Sequence, residues 1–326
     1  MIRAYNFIRT HVKELNFHEL KAHLTDTIWV DLFNPTVEEE ALIEGLLGID
    51  IPTRDEMQKI ELSSRLYQRN NTTFATINIV TRDAIHPSSH TVTFVLHNKW
   101  LITVRYVEEP LYARFIAKAK LNPALFQKGG FILSALLEEI TEQLADILEN
   151  TTHTIEEINR QIFKYDYASN GNSKIKKPNF KNIISHIGHN EDLISKARES
   201  LFTITRMLSF ILQTSYFKTH EDKKQITMVI GDIASLIDHA TFLSNKINFL
   251  LDATLGMINI EQSSIIKIVS IAAVVFLPPT LVASIYGMNF QYMPELNLHL
   301  GYPFAILLMI LSGFLPYKYF KYKGWL

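Results

Sequence analysis

The chain has 326 residues, with 32 Lys and Arg against 33 Asp and Glu and a formal charge of −1, a balance that excludes nucleic-acid binding driven by bulk charge. It carries no cysteine, which excludes disulfides and thiolate metal sites. The length fits one large domain or two smaller ones.

The opening stretch, MIRAYNFIRTHVKELNF, mixes charged and apolar residues from the start. It does not read as a secretory signal, so the N-terminal part is expected in the cytosol. Residues 1–130 are expected to form an α/β domain. TIWVDLF, FATINIV, TVTFVLH and WLITVRY are rich in β-branched and aromatic residues and read as strands. Before the last three, TVEEEALIEGLLGI reads as a helix with Thr36 as N-cap and Glu39 completing a capping box.

Residues 131–163 read as a long acidic amphipathic helix. YDYASNGNSKIKKPN supplies Asn, Gly, Ser and Pro, so a mobile loop is expected there. FKNIISHIGHNEDLISKARESLFTITRMLSFIL reads as a second long helix, and the two occupy 131–224. From about Gln225 no strong breaker appears before Pro278; Gly231 and Gly256 cost about 1 kcal/mol each. One helix of about 62 residues, roughly 93 Å, is therefore expected from near Gln225 to Tyr286.

No charge occurs from Ile268 to Pro294. The first part of that run, 268–286, is about 19 residues or roughly 28 Å, close to one hydrocarbon core. GYPFAILLMILSGFLPY at Gly301–Tyr317 is a second such run, extending to Phe320 if Lys318 snorkels. Buried core helices are the soluble alternative; two charge-free runs back to back favour membrane spans at 268–286 and 301–320. A stalk would occupy 225–267, a loop 287–300 and a basic tail 321–326. Lys246 and Lys267 precede the first span, and Lys318, Lys321 and Lys323 follow or end the second. The loop holds only Glu295 and His299. This pattern puts both termini in the cytosol and the loop outside. Tyr286, Phe290, Tyr292 and Tyr302 would form an outer aromatic belt, and Tyr317, Tyr319, Tyr322 and Trp325 an inner one.

The long helix carries a polar seam. Asp238, Asn245, Asp252 and Asn259 follow by sevens, and after a four-residue step Ser263, Ser270, Leu277 and Ser284 do the same. Beside them run Ile266, Ala273, Thr280 and Gly287. A soluble coiled coil would place Leu, Ile or Val on such a seam. One reading is a solvated stalk face followed by small-residue packing in the membrane. The other is that several copies turn this seam towards water on a common axis and make a pore. Pro278-Pro279 removes two amide donors and strands carbonyls near Val274 and Val275, which is tolerable beside water or a neighbouring hydroxyl.

Gly287 is expected as the C-cap of this helix, with the last carbonyls pointing outward at the negative end of the dipole. Asn289 adds a neutral amide oxygen. Repeated around an axis, such acceptors can hold the outward hydrogens of hydrated Mg²⁺, an ion that dehydrates reluctantly. Glu295 would attract cations through its field.

With YGMNF at 286–290, MPEL at 293–296, two terminal spans and a basic C-terminus, the sequence resembles the CorA family of magnesium and cobalt transport proteins, in its long bacterial branch. The likeness is close from INIEQSS to YKGWL, about 258–326, and looser over 1–257, where it rests on WVDL…P, the α/β domain and the long helices. It implies an α+β/α membrane protein: an N-terminal cytosolic α/β domain, a long helical stalk and two C-terminal transmembrane helices. It implies a homopentamer in the cell inner membrane, whose stalks and first spans line one pore while the second spans face lipid. The cytosolic parts would form a funnel sensing internal Mg²⁺. Gly287, Met288 and Asn289 match the family's selectivity signature. Asp252, Leu277 and Thr280 fall at pore-lining positions, and Ser263 stands where this branch has Asn. The reading is passive, potential-driven Mg²⁺ uptake, with Co²⁺ and Ni²⁺ as further cargo, Mg²⁺ as regulator, no cofactor and no nucleic-acid partner. Leu277 is the gate candidate, as the one large apolar residue of the series Ser263, Ser270, Leu277 and Ser284.

A zinc or cobalt transporter of the same architecture is the alternative, although zinc-transporting relatives often change the middle signature residue and Met288 keeps it. A membrane-anchored sensor or enzyme is a further reading. No Walker-A loop, HExxH or GxSxG occurs, so the chain does not read as an enzyme. His186-x-x-His189 reads as a surface feature.

Overall fold

The computed structural model describes residues 1–325 apart from 9–10, 16–18, 21–22, 83–86, 170–177, 215, 217–219, 290, 292 and 298. Two compact units emerge, Met1–Leu251 and Asp252–Leu326.

The first unit is built on a sheet of seven strands: β1 (Ile2–Ile8), β2 (His11–Leu15), β3 (Trp29–Phe33), β4 (Leu66–Arg69), β5 (Thr72–Arg82), β6 (Pro87–His97) and β7 (Trp100–Arg105). Their order is β2-β1-β3-β7-β6-β5-β4. β3 and β7 pair in parallel, with Asp31 beside Thr103, and the other neighbours are antiparallel. The four strands expected from sequence are all present. β1, β2 and β4 were not expected. β4 turns into β5 through Asn70 and Asn71, whose φ values of 46° and 60° suit a tight two-residue hairpin.

Helices cover both faces of the sheet. α1 (Val37–Leu47) sends Ile43 and Leu47 onto Val30, Leu32, Ile102 and Val104. The expected capping box is formed: Thr36 Oγ1 accepts from the Glu39 amide at 3.3 Å, and the Glu39 carboxylate accepts from the Thr36 amide at 3.0 Å. Two short turns follow, α2 (Arg54–Met57) and α3 (Leu62–Arg65). The opposite face meets α4 (Pro110–Leu121) through Trp29, Tyr112 and Phe115. With both faces covered, consecutive residues such as Phe94, Val95 and Leu96 are all buried.

Asp31 of WVDL lies in this double-covered centre. It accepts from Arg105 Nη2 at 2.8 Å and from Thr103 Oγ1 at 2.7 Å, and Trp29 Nε1 donates to that threonine at 3.1 Å. The Arg105 guanidinium sits 4.1 Å from the Tyr112 ring centroid and 4.6 Å from that of Phe33.

Two long helices pack on the sheet. α5 (Gly129–Ser169) continues beyond the expected end at 163, and residues 170–177 of the expected mobile loop lie outside the described residues. α6 (Phe180–Gln213) follows. Gln143 Nε2 donates to Val80 O at 3.1 Å, and the Asn78 amide donates to Thr203 Oγ1 at 3.1 Å. α5 is not acidic only on its outer side: Glu139 is 3 % exposed and takes Lys118 Nζ at 2.7 Å and Arg114 Nε at 3.4 Å.

α7 runs His220–Tyr286, 67 residues, and so starts earlier than expected. The second unit contains its C-terminal part, a 3₁₀ turn at Pro294–Asn297 and α8 (Gly301–Tyr322). Stretches of α7 and α8 are long and apolar enough to cross a membrane.

Candidate functional site

In the first unit, α7 buries Ile233, Ala240, Leu243, Ile247 and Leu250, a stripe of three-, four- and seven-residue steps. Asp238 and Asn245 lie on the other side of the helix and are exposed. Phe242 and Phe249 are 57 % and 59 % exposed.

The second unit has its own two-sided helix. Ile271 is buried, and Val275, Pro279, Val282 and Tyr286 are half-buried. These residues recur every three or four positions, so they share one face. α8 meets that face at Val275 and Pro279: a Cβ on Gly313 would lie 3.1 Å from Pro279 Cγ and 3.3 Å from Val275 O. Leu277 is two residues from both Val275 and Pro279, about 200° of helical turn, and therefore lies on the opposite side. The structure leaves Asp252, Asn259, Ser263, Ile266, Ser270, Ala273, Leu277, Thr280 and Ser284 exposed. The hydroxylated and small residues of the seam thus occupy the side that α8 leaves free, and Leu277 is 66 % exposed there.

α7 passes through Pro278 and Pro279 without ending. Thr280 Oγ1 donates to Phe276 O at 2.8 Å. That hydroxyl serves neither carbonyl deprived by the prolines. The Val275 carbonyl faces the second span at Gly313.

The helix ends where expected, but differently. The Gly287 amide donates to Ala283 O at 2.9 Å and the Met288 amide to Ile285 O at 3.3 Å. Gly48 and Gly324 are the described glycines with positive φ, so Gly287 is no left-handed cap. The last turn tightens instead, and a Cβ on Gly287 would lie 3.1 Å from Ala283 O. Met288 and Asn289 project beyond this end and are exposed. Glu295 is exposed in the turn before α8. Of the expected outer aromatics, Tyr286 is half-buried and Tyr302 exposed, while Phe290 and Tyr292 lie outside the described residues. Tyr317, Tyr319, Tyr322 and Trp325 are exposed at the other end. Among the described residues no three His, Asp or Glu converge as metal ligands, and His186 and His189 are exposed on α6.

A family model described as CorA-like Mg²⁺ transporter protein matches residues 25–322. The chain belongs to the CorA family. It is 36% identical over 327 residues to the magnesium transport protein CorA of Salmonella typhimurium, covering 100% of both chains. It is 38% identical over 328 residues to the protein of that name from Pectobacterium atrosepticum, again covering 100% of both. The solved CorA magnesium transporter of Methanocaldococcus jannaschii matches with a TM-score of 0.79 at 20% identity, covering 100% of this chain and 99% of that one. At that identity the likeness is one of fold.

Within this CorA fold, sequence reading singled out the exposed side of the first span and the loop between the two spans. It missed Gly313. The available signal was a lone glycine within an apolar run, but its partner Pro279 lies on the other span. The Asp31–Arg105 pair was missed for the same reason, its two halves being 74 residues apart.

Proposed function

We propose that the chain forms a homopentameric channel carrying Mg²⁺, and also Co²⁺ and Ni²⁺, passively into the cell down the membrane potential. It would sit in the cell inner membrane with both termini in the cytosol. The observation carrying this reading is the exposed stripe from Ser263 to Ser284, on the side of the first span away from α8. A polar or small stripe towards lipid has no energetic reason; turned towards water on an axis it has one. Membership of the CorA family and the names of its relatives support the cargo. Phe242 and Phe249, apolar and exposed on the stalk, support self-association.

Each residue then has a task. Asn289 and the last carbonyls of α7 form neutral acceptor rings at the outer mouth, holding the ion by its water shell. Glu295 concentrates cations there. Ser284, Thr280, Ala273 and Ser270 offer a narrow, partly hydroxylated passage, and Asp252 and Asn259 receive the ion in the stalk. A ring of Leu277 side chains excludes water when the passage narrows, so a hydrated ion stops there. Mg²⁺ bound inside favours that narrow state.

Flux of Mg²⁺ into proteoliposomes loaded with a magnesium-sensitive dye tests the reading, with Zn²⁺ in a parallel series. Uptake of Mg²⁺ but not Zn²⁺ is expected. Zn²⁺ uptake alone would transfer the chain to zinc transport, and no flux of either would remove the channel reading.

A further inference from the structure

We infer that Gly313 is a positioning residue for the gate: it lets the second span seal the proline break of the first span on the side opposite Leu277. The proposal rests on the channel reading above and adds a residue outside the pore stripe to it.

Pro279 has no N–H, so Val275 O loses its ordinary helical donor. In hydrocarbon a carbonyl in that state is costly unless something covers it. The hydrogen that Gly313 carries in place of Cβ is directed at this spot, where a Cβ would stand 3.3 Å from Val275 O and 3.1 Å from Pro279 Cγ. Neither neighbour is the loose end of a side chain. One is backbone and the other a ring fixed to backbone, so a larger residue must part the helices.

The contact is central to the hairpin. Eight residues inward of Pro279 is Ile271, and eight residues outward of Gly313 is Ala305; each is 5 % exposed. At 1.5 Å per residue these sit about 12 Å to either side of the Gly313 contact. The Gly313 contact with the proline break thus lies midway between two buried positions, one on each span. Pro breaks are the usual sites of helix bending. Leu277, across the helix from the sealed break, moves with any bend there. Removing the cover frees the break, eases opening and makes closure demand more internal Mg²⁺.

The test is a double-mutant cycle with two readouts on the full-length assembly. Gly313→Val should raise the internal Mg²⁺ needed for half-inhibition by about threefold or more, with assembly size unchanged on gel filtration. Pro279→Ala restores the amide donor and removes the ring, so on that background Gly313→Val, left with only the Val275 O contact, should produce a much smaller shift. Melting of the detergent-solubilised assembly should show the same non-additivity, and this readout does not depend on transport. If Gly313→Val fails to assemble, the smaller Gly313→Ala takes its place, and Pro279→Ala should rescue it. An unchanged half-inhibition in an intact assembly overturns the gating role. Equal effects of the Gly313 substitution on both backgrounds, in flux and in melting, overturn the contact itself. If the unsubstituted protein carries no Mg²⁺, the channel reading fails while the melting cycle still decides the contact.

Discussion

Asn289 is the side chain on which ion selection is predicted to turn. It is exposed just beyond the tightened end of α7, and each copy contributes one neutral acceptor. Asn289→Ala should abolish Mg²⁺ uptake while leaving assembly intact; near-normal flux in a correctly sized assembly would remove its role. Glu295 should act differently. Glu295→Gln should raise the half-saturating Mg²⁺ at low ionic strength and leave the maximal rate little changed, because the field of an exposed carboxylate is screened by salt. Loss of selectivity at saturating Mg²⁺ would instead make Glu295 part of the filter. In the first unit, Asp31→Asn leaves the Arg105 guanidinium buried without its counter-charge, at a cost of about 3–5 kcal/mol. A lowered melting midpoint of the full chain checks this, and an unchanged one would contradict it. These residues were unequally legible. Asn289 announced itself as a polar group near the end of a charge-free run and Glu295 as the acid that ends it. Asp31 could be seen only as an acid inside a strand, since Arg105 and Thr103 come beside it through the parallel β3–β7 pairing. Gly287 was placed correctly at a helix end, but whether a glycine there takes positive φ depends on how the last turn closes.

Elements were legible where their determinants are local. The α1 capping box lies within four residues and was foreseen. β6 and β7 are apolar because both faces are covered, and they read as strands. β2 and β4 are mostly polar strands at the two sheet edges, so they show little hydrophobic pattern and become strands by pairing. The Asn70-Asn71 turn was the available signal for β4. α5 ran past its expected end because the stretch up to Ser169 holds no Gly or Pro, so a helix already formed propagates into it at little cost. For α7, the seam was visible from heptad spacing, whereas the side taken by α8 was not, since both readings of the seam fit the same letters. Leu277 carries the prediction at this scale. Leu277→Ser should wet the ring and pass Mg²⁺ even at high internal Mg²⁺, with the assembly intact. Weakened assembly without leak would make Leu277 a packing residue.

At the scale of the whole molecule, the two units divide the labour that the channel reading requires. Met1–Leu251 supplies a rigid mixed sheet clamped by long helices, and Asp252–Leu326 supplies the apolar hairpin with its exposed stripe. The channel reading needs no nucleotide, since a divalent ion moving inward gains about 4.6 kcal/mol per 100 mV. The most direct test is therefore Mg²⁺ flux into vesicles holding the purified protein, with an imposed inside-negative potential and no nucleotide present. Uptake should rise with the potential, fall when the potential is collapsed and vanish with Asn289→Ala. Flux no greater than in empty vesicles, or flux that appears only when ATP is added, would contradict the account.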